Sequence, residues 1–204
     1  MSLQEIYQQF VTDAQHMNWM EIVSAVTQIA SVWYAKKNNI LVYPTGIIGV
    51  LLASYICFST QLYADGGLNV YYFVMSVYGW YNWVQQKNNA YEYPISWCNK
   101  KEMNNGLIFF FAGWVILFWA LKYHTNSNVP VLDSFVSASA VTAMWWMAKR
   151  KIENWVAWIV SDIVAIPLFF YKHLILFTVM YLVFLALALW GYFEWVKKFR
   201  NAAT

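Results

Sequence analysis

Seven apolar runs, each long enough or nearly long enough to cross a bilayer, constrain this chain more than any other feature. The runs cover residues 20–36, 44–61, 67–86, 106–122, 130–148, 154–171 and 174–196, and polar or charged breaks separate them. A transmembrane helix needs about 20 mainly apolar residues. In lipid, the backbone polar groups must be satisfied inside the segment, which favours helices. The pattern predicts an all-α integral membrane protein with seven transmembrane helices.

The distribution of charge agrees with this and predicts an orientation. Only 11% of the 204 residues are charged, whereas a soluble domain carries about 25%. When the breaks are assigned alternately to the two membrane faces, Lys122 and Lys172 fall on one face and the other Lys and Arg residues fall on the opposite face. Cytoplasmic loops are rich in Lys and Arg. The sequence therefore predicts an N-terminus outside and a cytoplasmic C-terminus.

The chain also resembles itself. Residues 33–37 match residues 146–150 at an offset of 113, and residues 79–83 match residues 191–195 at an offset of 112. We interpret this as a duplicated three-helix unit with the fourth helix as a connector. Two copies separated by one helix have the same orientation, which is the parallel 3+1+3 arrangement of SWEET-type carriers. The alternative is chance similarity, because Lys and Trp are common at all cytoplasmic helix ends.

These patterns divide the chain into five segments. The first is an N-terminal segment that lacks Lys and Arg before Trp19, does not resemble a signal peptide, and has apolar residues at the spacing of a short interfacial helix. The others are two three-helix bundles, a loop with the connecting helix, and a tail. Their predicted bounds are 1–19, 20–86, 87–129, 130–197 and 198–204.

The sixth run contains a carboxylate on an aromatic stripe. Trp155, Trp158 and Asp162 are spaced i, i+3, i+7 and share one helix face. Asp162 lies roughly 12 Å from the start of the run, where an aspartate costs about 2.5 to 3.5 kcal/mol and normally faces a bundle interior or a wet cavity. Two indoles and an acid suit a flat, cationic aromatic ligand. The alternative is that the tryptophans only pack and Asp162 bonds a neighbouring helix.

Other polar and aromatic residues at membrane depth extend this candidate site. Trp19, Trp97 and Trp195 are expected to belong instead to the interfacial aromatic belt. The predicted substrate-binding residues are Trp158, Asp162, Trp155, Asn154, Trp80, Asn82, Trp83, Gln28 and Tyr72.

The motifs of common catalytic and metal sites are missing from the sequence. His16, His124 and His173 are far apart in extramembrane segments, so they predict no metal site. There is no Walker motif, no Gly-x-Ser-x-Gly elbow and no lysine inside the seventh run for a retinal Schiff base. Cys57 and Cys98 form neither a disulfide framework nor a metal site. We predict no catalytic residue, no cofactor and no nucleic-acid partner.

Several blocks resemble the PnuC family of vitamin transporters. The most specific is residues 147–158, which runs from Ala-Lys-Arg into Trp-x-x-Trp and is followed by Asp162. The others are residues 62–65, residues 78–83, and Tyr181 ahead of Gly191 and Trp195. The resemblance extends from about the first helix to Trp195.

This resemblance implies a SWEET-like fold and a bacterial inner-membrane carrier for nicotinamide riboside. Family members work by facilitated diffusion, and a cytoplasmic kinase traps the substrate by phosphorylation. Related carriers take thiamine or riboflavin, and the motifs do not separate these substrates. The expected partners are a small cationic aromatic vitamin and the lipid bilayer, and a homo-oligomer is left open. A membrane sensor that binds a ligand without transporting it is the alternative class.

Overall fold

The computed structural model describes residues 3–87, 90–91, 93–125 and 127–203. Predictions that fall on residues 1, 2, 88, 89, 92, 126 and 204 lie outside the described residues. Two short strands, β1 (Gln86–Lys87) and β2 (Ala90–Tyr91), pair antiparallel. The described part of the chain forms eight helices: α1 (Leu3–His16), α2 (Trp19–Lys36), α3 (Val42–Ser59), α4 (Tyr63–Val84), α5 (Lys100–His124), α6 (Pro130–Ala148), α7 (Glu153–Tyr171) and α8 (Ile175–Ala203).

Helices α2 to α8 correspond to the seven predicted runs, and α1 is the helix expected before Trp19. Two bounds differ from the prediction by more than five residues. Helix α5 begins at Lys100, because Asn99 and Glu102 form a capping box that starts the helix in the polar loop. Helix α8 continues to Ala203, so the predicted tail is helical over residues 198–203.

The predicted break at residues 62–66, between the second and third runs, extends too far, because Asp65, Gly66 and Gly67 lie in the first turns of α4. The chain turns earlier, where Gln61 adopts a left-handed conformation with φ 62°. Gly66 lies against the ring of Phe58, and a Cβ there would be 3.0 Å from ring atoms. The glycine is thus explained by close helix packing rather than by a turn.

Five of the helices are long and apolar enough to cross a membrane: α3, α5, α6, α7 and α8. Helices α2 and α4 are more polar, since α2 contains Glu21 and Gln28 and α4 contains Asp65 and Asn82. The structure is therefore that of a helical multi-pass membrane protein, and seven spans remain a prediction.

The helices pack as two sequential groups of three. Helix α3 packs against α2 and α4, and α7 packs against α6 and α8. The groups α2–α4 and α6–α8, hereafter the first and second units, contact each other through α4 with α6 and through α2 with α8. Helix α5 packs on α6, and α1 packs on α8. Each unit thus uses its first and third helices to contact the other unit.

The two units share one apolar core at one end of the bundle. We call this end the basic end. Helices α2, α4, α6 and α8 end here, and helices α3, α5 and α7 begin here. An ion pair of 2.8 Å joins Lys151 to Glu102 at this end. The core consists of Ala35, Val42, Tyr43, Met75, Trp83, Met144, Met147, Ala148, Ile152, Trp155, Ala188 and Trp195. A second cluster, of Val136, Ala165 and Leu168, belongs to the second unit alone.

Candidate substrate-binding site

Asp162 lies in the bundle interior, further from the basic end than Trp155 and Trp158. Only 2% of the residue is exposed. The hydroxyl of the preceding residue, Ser161, donates to the carbonyl of Val136 at 3.1 Å and fixes this part of α7 against α6. The carboxylate is close enough to Tyr181 of α8 for an electrostatic interaction. An interior location is what the energetic cost of an intramembrane carboxylate requires.

Residues of the first unit complete this region. Tyr72 of α4 lies within electrostatic range of Tyr181, and the ring centroids of Tyr71 and Tyr72 are 5.9 Å apart. The hydroxyl of Tyr71 donates to the carbonyl of Val141 on α6 at 3.0 Å, which joins the two units. We call Tyr72, Asp162 and Tyr181 the Tyr–Asp cluster. It combines a carboxylate with electron-rich rings, the groups that attract a cationic aromatic molecule.

Trp158 and Gln28 are partly buried in different units. Trp158 packs against the shared core from α7. The side-chain amide of Gln28 donates to the Ser24 hydroxyl at 2.9 Å, and Ser24 donates to the Gly49 carbonyl at 3.0 Å. Gln28 is therefore held at the contact between α2 and α3.

Four other predicted site residues belong to the packing of the basic end. Trp83 and Trp155 are fully buried, and each contacts the ring of Trp195. Asn82 donates to the carbonyl of Ala148 at 3.2 Å, and Asn154 donates to the carbonyl of Lys151. Their visible contacts stabilise helix ends.

Trp80 is placed apart from all of these. It is 39% exposed on α4, on a helix whose buried positions include Met75, Gly79 and Asn82. The nine predicted residues therefore lie in three places: the bundle interior, the basic end and the outer surface.

The expectation that Trp195 belongs to the aromatic belt is wrong. It is 0% exposed, and its indole N–H donates to the carbonyl of Ala35 at 3.0 Å. A tryptophan near a helix end is typical both of the aromatic belt and of a buried helix contact. The offset of 112 from Trp83 could have indicated that Trp195 makes a helix contact. Tyr181 was also missing from the predicted site, although it lies in a block that carries the family resemblance.

The loop before α5 supplies a prediction about Cys98. Burial and the adjacent Glu153 carboxylate together raise the pKa of its thiol to about 12. Because the thiolate is the reactive form, alkylation of Cys98 by iodoacetamide at pH 8 should be at least about tenfold slower than that of glutathione. Glu153→Gln should accelerate it by removing a negative charge. Peptide mass spectrometry measures both rates, and equal rates for native Cys98 and glutathione would contradict the prediction.

The interior location of Asp162 and the two packed helical units define a multi-pass membrane protein with a polar, aromatic interior. A family model described as "Nicotinamide mononucleotide transporter" matches residues 18–197. The chain belongs to this family, the PnuC family of transporters, and is not an enzyme.

Individual relatives are similar at low identity over most of their length. The nicotinamide riboside transporter PnuC of Escherichia coli is 24% identical over 91% of this chain and 88% of the relative. The riboflavin/roseoflavin transporter RibM of Streptomyces davaonensis is also 24% identical, over 94% of this chain and 91% of the relative. A crystal structure of the vitamin B3 transporter PnuC is 25% identical, with a TM-score of 0.70, over 96% of this chain and 88% of that one.

Proposed function

We propose that this protein carries nicotinamide riboside across the bacterial inner membrane by facilitated diffusion, and that phosphorylation in the cytoplasm traps the substrate. The observation that carries the choice of substrate is the buried Asp162 carboxylate in the bundle interior, in a chain of this family. Nicotinamide riboside is an aromatic cation, so it gains both Coulomb attraction and cation–π contact there. The PnuC relatives named above support the same substrate.

The same proposal includes seven spans, with the two units related by an axis along the membrane normal and the basic end in the cytoplasm. Four residues with left-handed backbone support the duplication. They form two pairs, Asn38 with Arg150 and Gln61 with His173, each 112 positions apart. Helix starts repeat at a similar spacing, since α4 begins at Tyr63 and α8 at Ile175. The same offset of 112, rather than 113, also fits residues 33–37. At this offset Trp33 corresponds to Trp145 and Lys37 to Lys149, and each lysine stacks on the tryptophan four residues before it.

The substrate would bind between the units, at the Tyr–Asp cluster. In this proposal Asp162 faces the pyridinium charge, while Tyr72 and Trp158 offer aromatic surfaces. Gln28 of the first unit would supply a polar contact to ribose hydroxyls. The residues of the basic end, Trp83 and Trp155, would act by packing rather than by direct contact.

Riboflavin is the second candidate, because RibM is as similar in identity as the PnuC of Escherichia coli. Thiamine, also an aromatic cation, is a third. A neutral flavin would gain less from the buried carboxylate than either cation.

Titration of the purified protein with the three vitamins tests the substrate. We expect nicotinamide riboside to bind at least about tenfold more tightly than riboflavin, because cation–π and Coulomb contacts in a desolvated site are worth about 2 kcal/mol. Calorimetry gives the dissociation constants. Tighter binding of riboflavin would overturn the proposed substrate and favour a flavin carrier, and tighter binding of thiamine would assign the protein to that vitamin.

A further inference from the structure

Two tryptophans make reciprocal hydrogen bonds between the units at the basic end. The indole N–H of Trp83 in the first unit donates to the carbonyl of Met147 in the second at 3.1 Å. The indole N–H of Trp195 in the second unit donates to the carbonyl of Ala35 in the first at 3.0 Å. The donors are 112 positions apart, and so are the acceptors. Each bond is therefore the counterpart of the other under exchange of the units.

The rings of both tryptophans are held in matching ways. Trp83 meets Tyr43 edge to face at 5.1 Å and 87°, and Trp195 meets Trp155 at 5.5 Å and 88°. The two indoles also contact each other, with centroids 6.0 Å apart. All four residues are fully buried in the shared core. The pair thus forms a continuous aromatic layer across the bundle at its basic end.

Cations secure the helix ends around this layer. The guanidinium of Arg150 lies 4.4 Å above the Trp83 ring and donates to the Trp83 carbonyl at 3.4 Å. On the opposite contact, the ammonium of Lys36 lies 3.4 Å from the ring of Trp33 on its own helix and 3.0 Å from the ring of Trp190 on α8. Both contacts between the units, α4 with α6 and α2 with α8, are therefore closed at this end.

We propose that Trp83 and Trp195 are the cytoplasmic gate of the carrier, and that the structure represents the state closed to the cytoplasm. This proposal rests on the proposed function, since a gate requires transport and the basic end must be cytoplasmic. Opening would break both indole bonds while leaving each tryptophan on its partner in its own unit. Both are positioning residues, because they control access and do not contact the substrate.

Access from the cytoplasm can be measured without substrate. We would replace Met144, a buried residue of the shared core on α6, with cysteine in a Cys57→Ser, Cys98→Ser background. Inside-out and right-side-out membrane vesicles are then labelled with a membrane-impermeant maleimide. Trp83→Phe and Trp195→Phe each remove one indole bond but keep an aromatic ring. Trp114→Phe is the matched control, because its indole donates to the Val131 carbonyl at 3.1 Å between α5 and α6.

We expect Trp83→Phe and Trp195→Phe each to accelerate labelling in inside-out vesicles by about three- to tenfold, the range for loss of one buried hydrogen bond. The two effects should agree within about threefold, since the bonds are equivalent. Trp114→Phe should label like the parent. Labelling of either gate variant at the control rate, or acceleration only in right-side-out vesicles, would overturn the proposal.

A measurement on the unsubstituted protein covers the case in which a variant fails to fold. The indole protons of Trp83 and Trp195 should exchange with deuterium more slowly than that of Trp19, which is exposed; equally fast exchange would overturn the gate. Labelling also separates the two proposals. Accelerated labelling without uptake of nicotinamide riboside would support the gate and overturn the proposed substrate. Uptake of nicotinamide riboside with unchanged labelling would support the substrate and overturn the gate.

Discussion

Replacement of Asp162 by Asn is expected to weaken binding of nicotinamide riboside at least about tenfold and, at the same time, to stabilise the protein. Binding falls because the neutral amide no longer attracts the pyridinium charge. Stability rises because a buried carboxylate at membrane depth costs about 2.5 to 3.5 kcal/mol, and the amide avoids part of that cost. Calorimetry measures the affinity, and a melting curve in detergent measures the stability. A residue with a purely structural role would not give these opposite signs.

Asp133→Asn is the matched control, since it removes one negative charge from the neighbouring helix α6. Asp133 is ion-paired with Lys172, so its neutralisation should lower the melting temperature and leave affinity within about threefold of the parent, as expected for a partly exposed ion pair away from the site. If Asp162→Asn binds nicotinamide riboside with the parent affinity while remaining folded, the carboxylate does not face the substrate.

Replacement of Gly191 by Ala should lower stability substantially. A Cβ at this position would lie 2.6 Å from the ring of Trp155, which is fixed between α7 and α8 in the shared core. Extra volume in a packed core costs about 1 to 3 kcal/mol. Gly79→Ala should behave similarly, since its Cβ would lie 2.5 Å from the hydroxyl of Tyr43. Melting temperature in detergent reports both changes.

Gly67→Ala is the control for the glycine substitutions, because nothing lies within 4 Å of a Cβ built there. In a helix interior this change should stabilise by about 0.5 to 1 kcal/mol through reduced backbone entropy of the unfolded chain. A stabilising effect of Gly191→Ala similar to that of Gly67→Ala would show that the contact with Trp155 is looser than described.

Helix positions were predictable to within a few residues because apolar runs in lipid have little choice of structure. The start of α5 was missed, although Asn99 and Glu102 carry the spacing of a capping box. The apparent break at Gly66 and Gly67 was misread, because glycine is equally typical of turns and of close helix contacts. The distinction depends on Phe58, a residue of another helix, and therefore on tertiary packing.

The candidate site was less predictable than the fold. Helical spacing correctly predicted that Trp155, Trp158 and Asp162 share one face of α7. It does not show which residues of the neighbouring helices each of them contacts. In the structure Trp155 packs on Trp195 at the basic end, while Asp162 is buried deeper in the bundle. The internal offset was the more informative signal, because residues 112 apart make matching contacts.

Flux of labelled nicotinamide riboside into proteoliposomes distinguishes a carrier from a protein that only binds the vitamin. With proton and sodium gradients dissipated, we expect the label to enter protein-containing vesicles until its internal and external concentrations are equal, and we expect Asp162→Asn to slow entry. Binding of the vitamin to the protein without entry of the label would contradict the account and would indicate a sensor, while entry that stops when the gradients are removed would contradict facilitated diffusion.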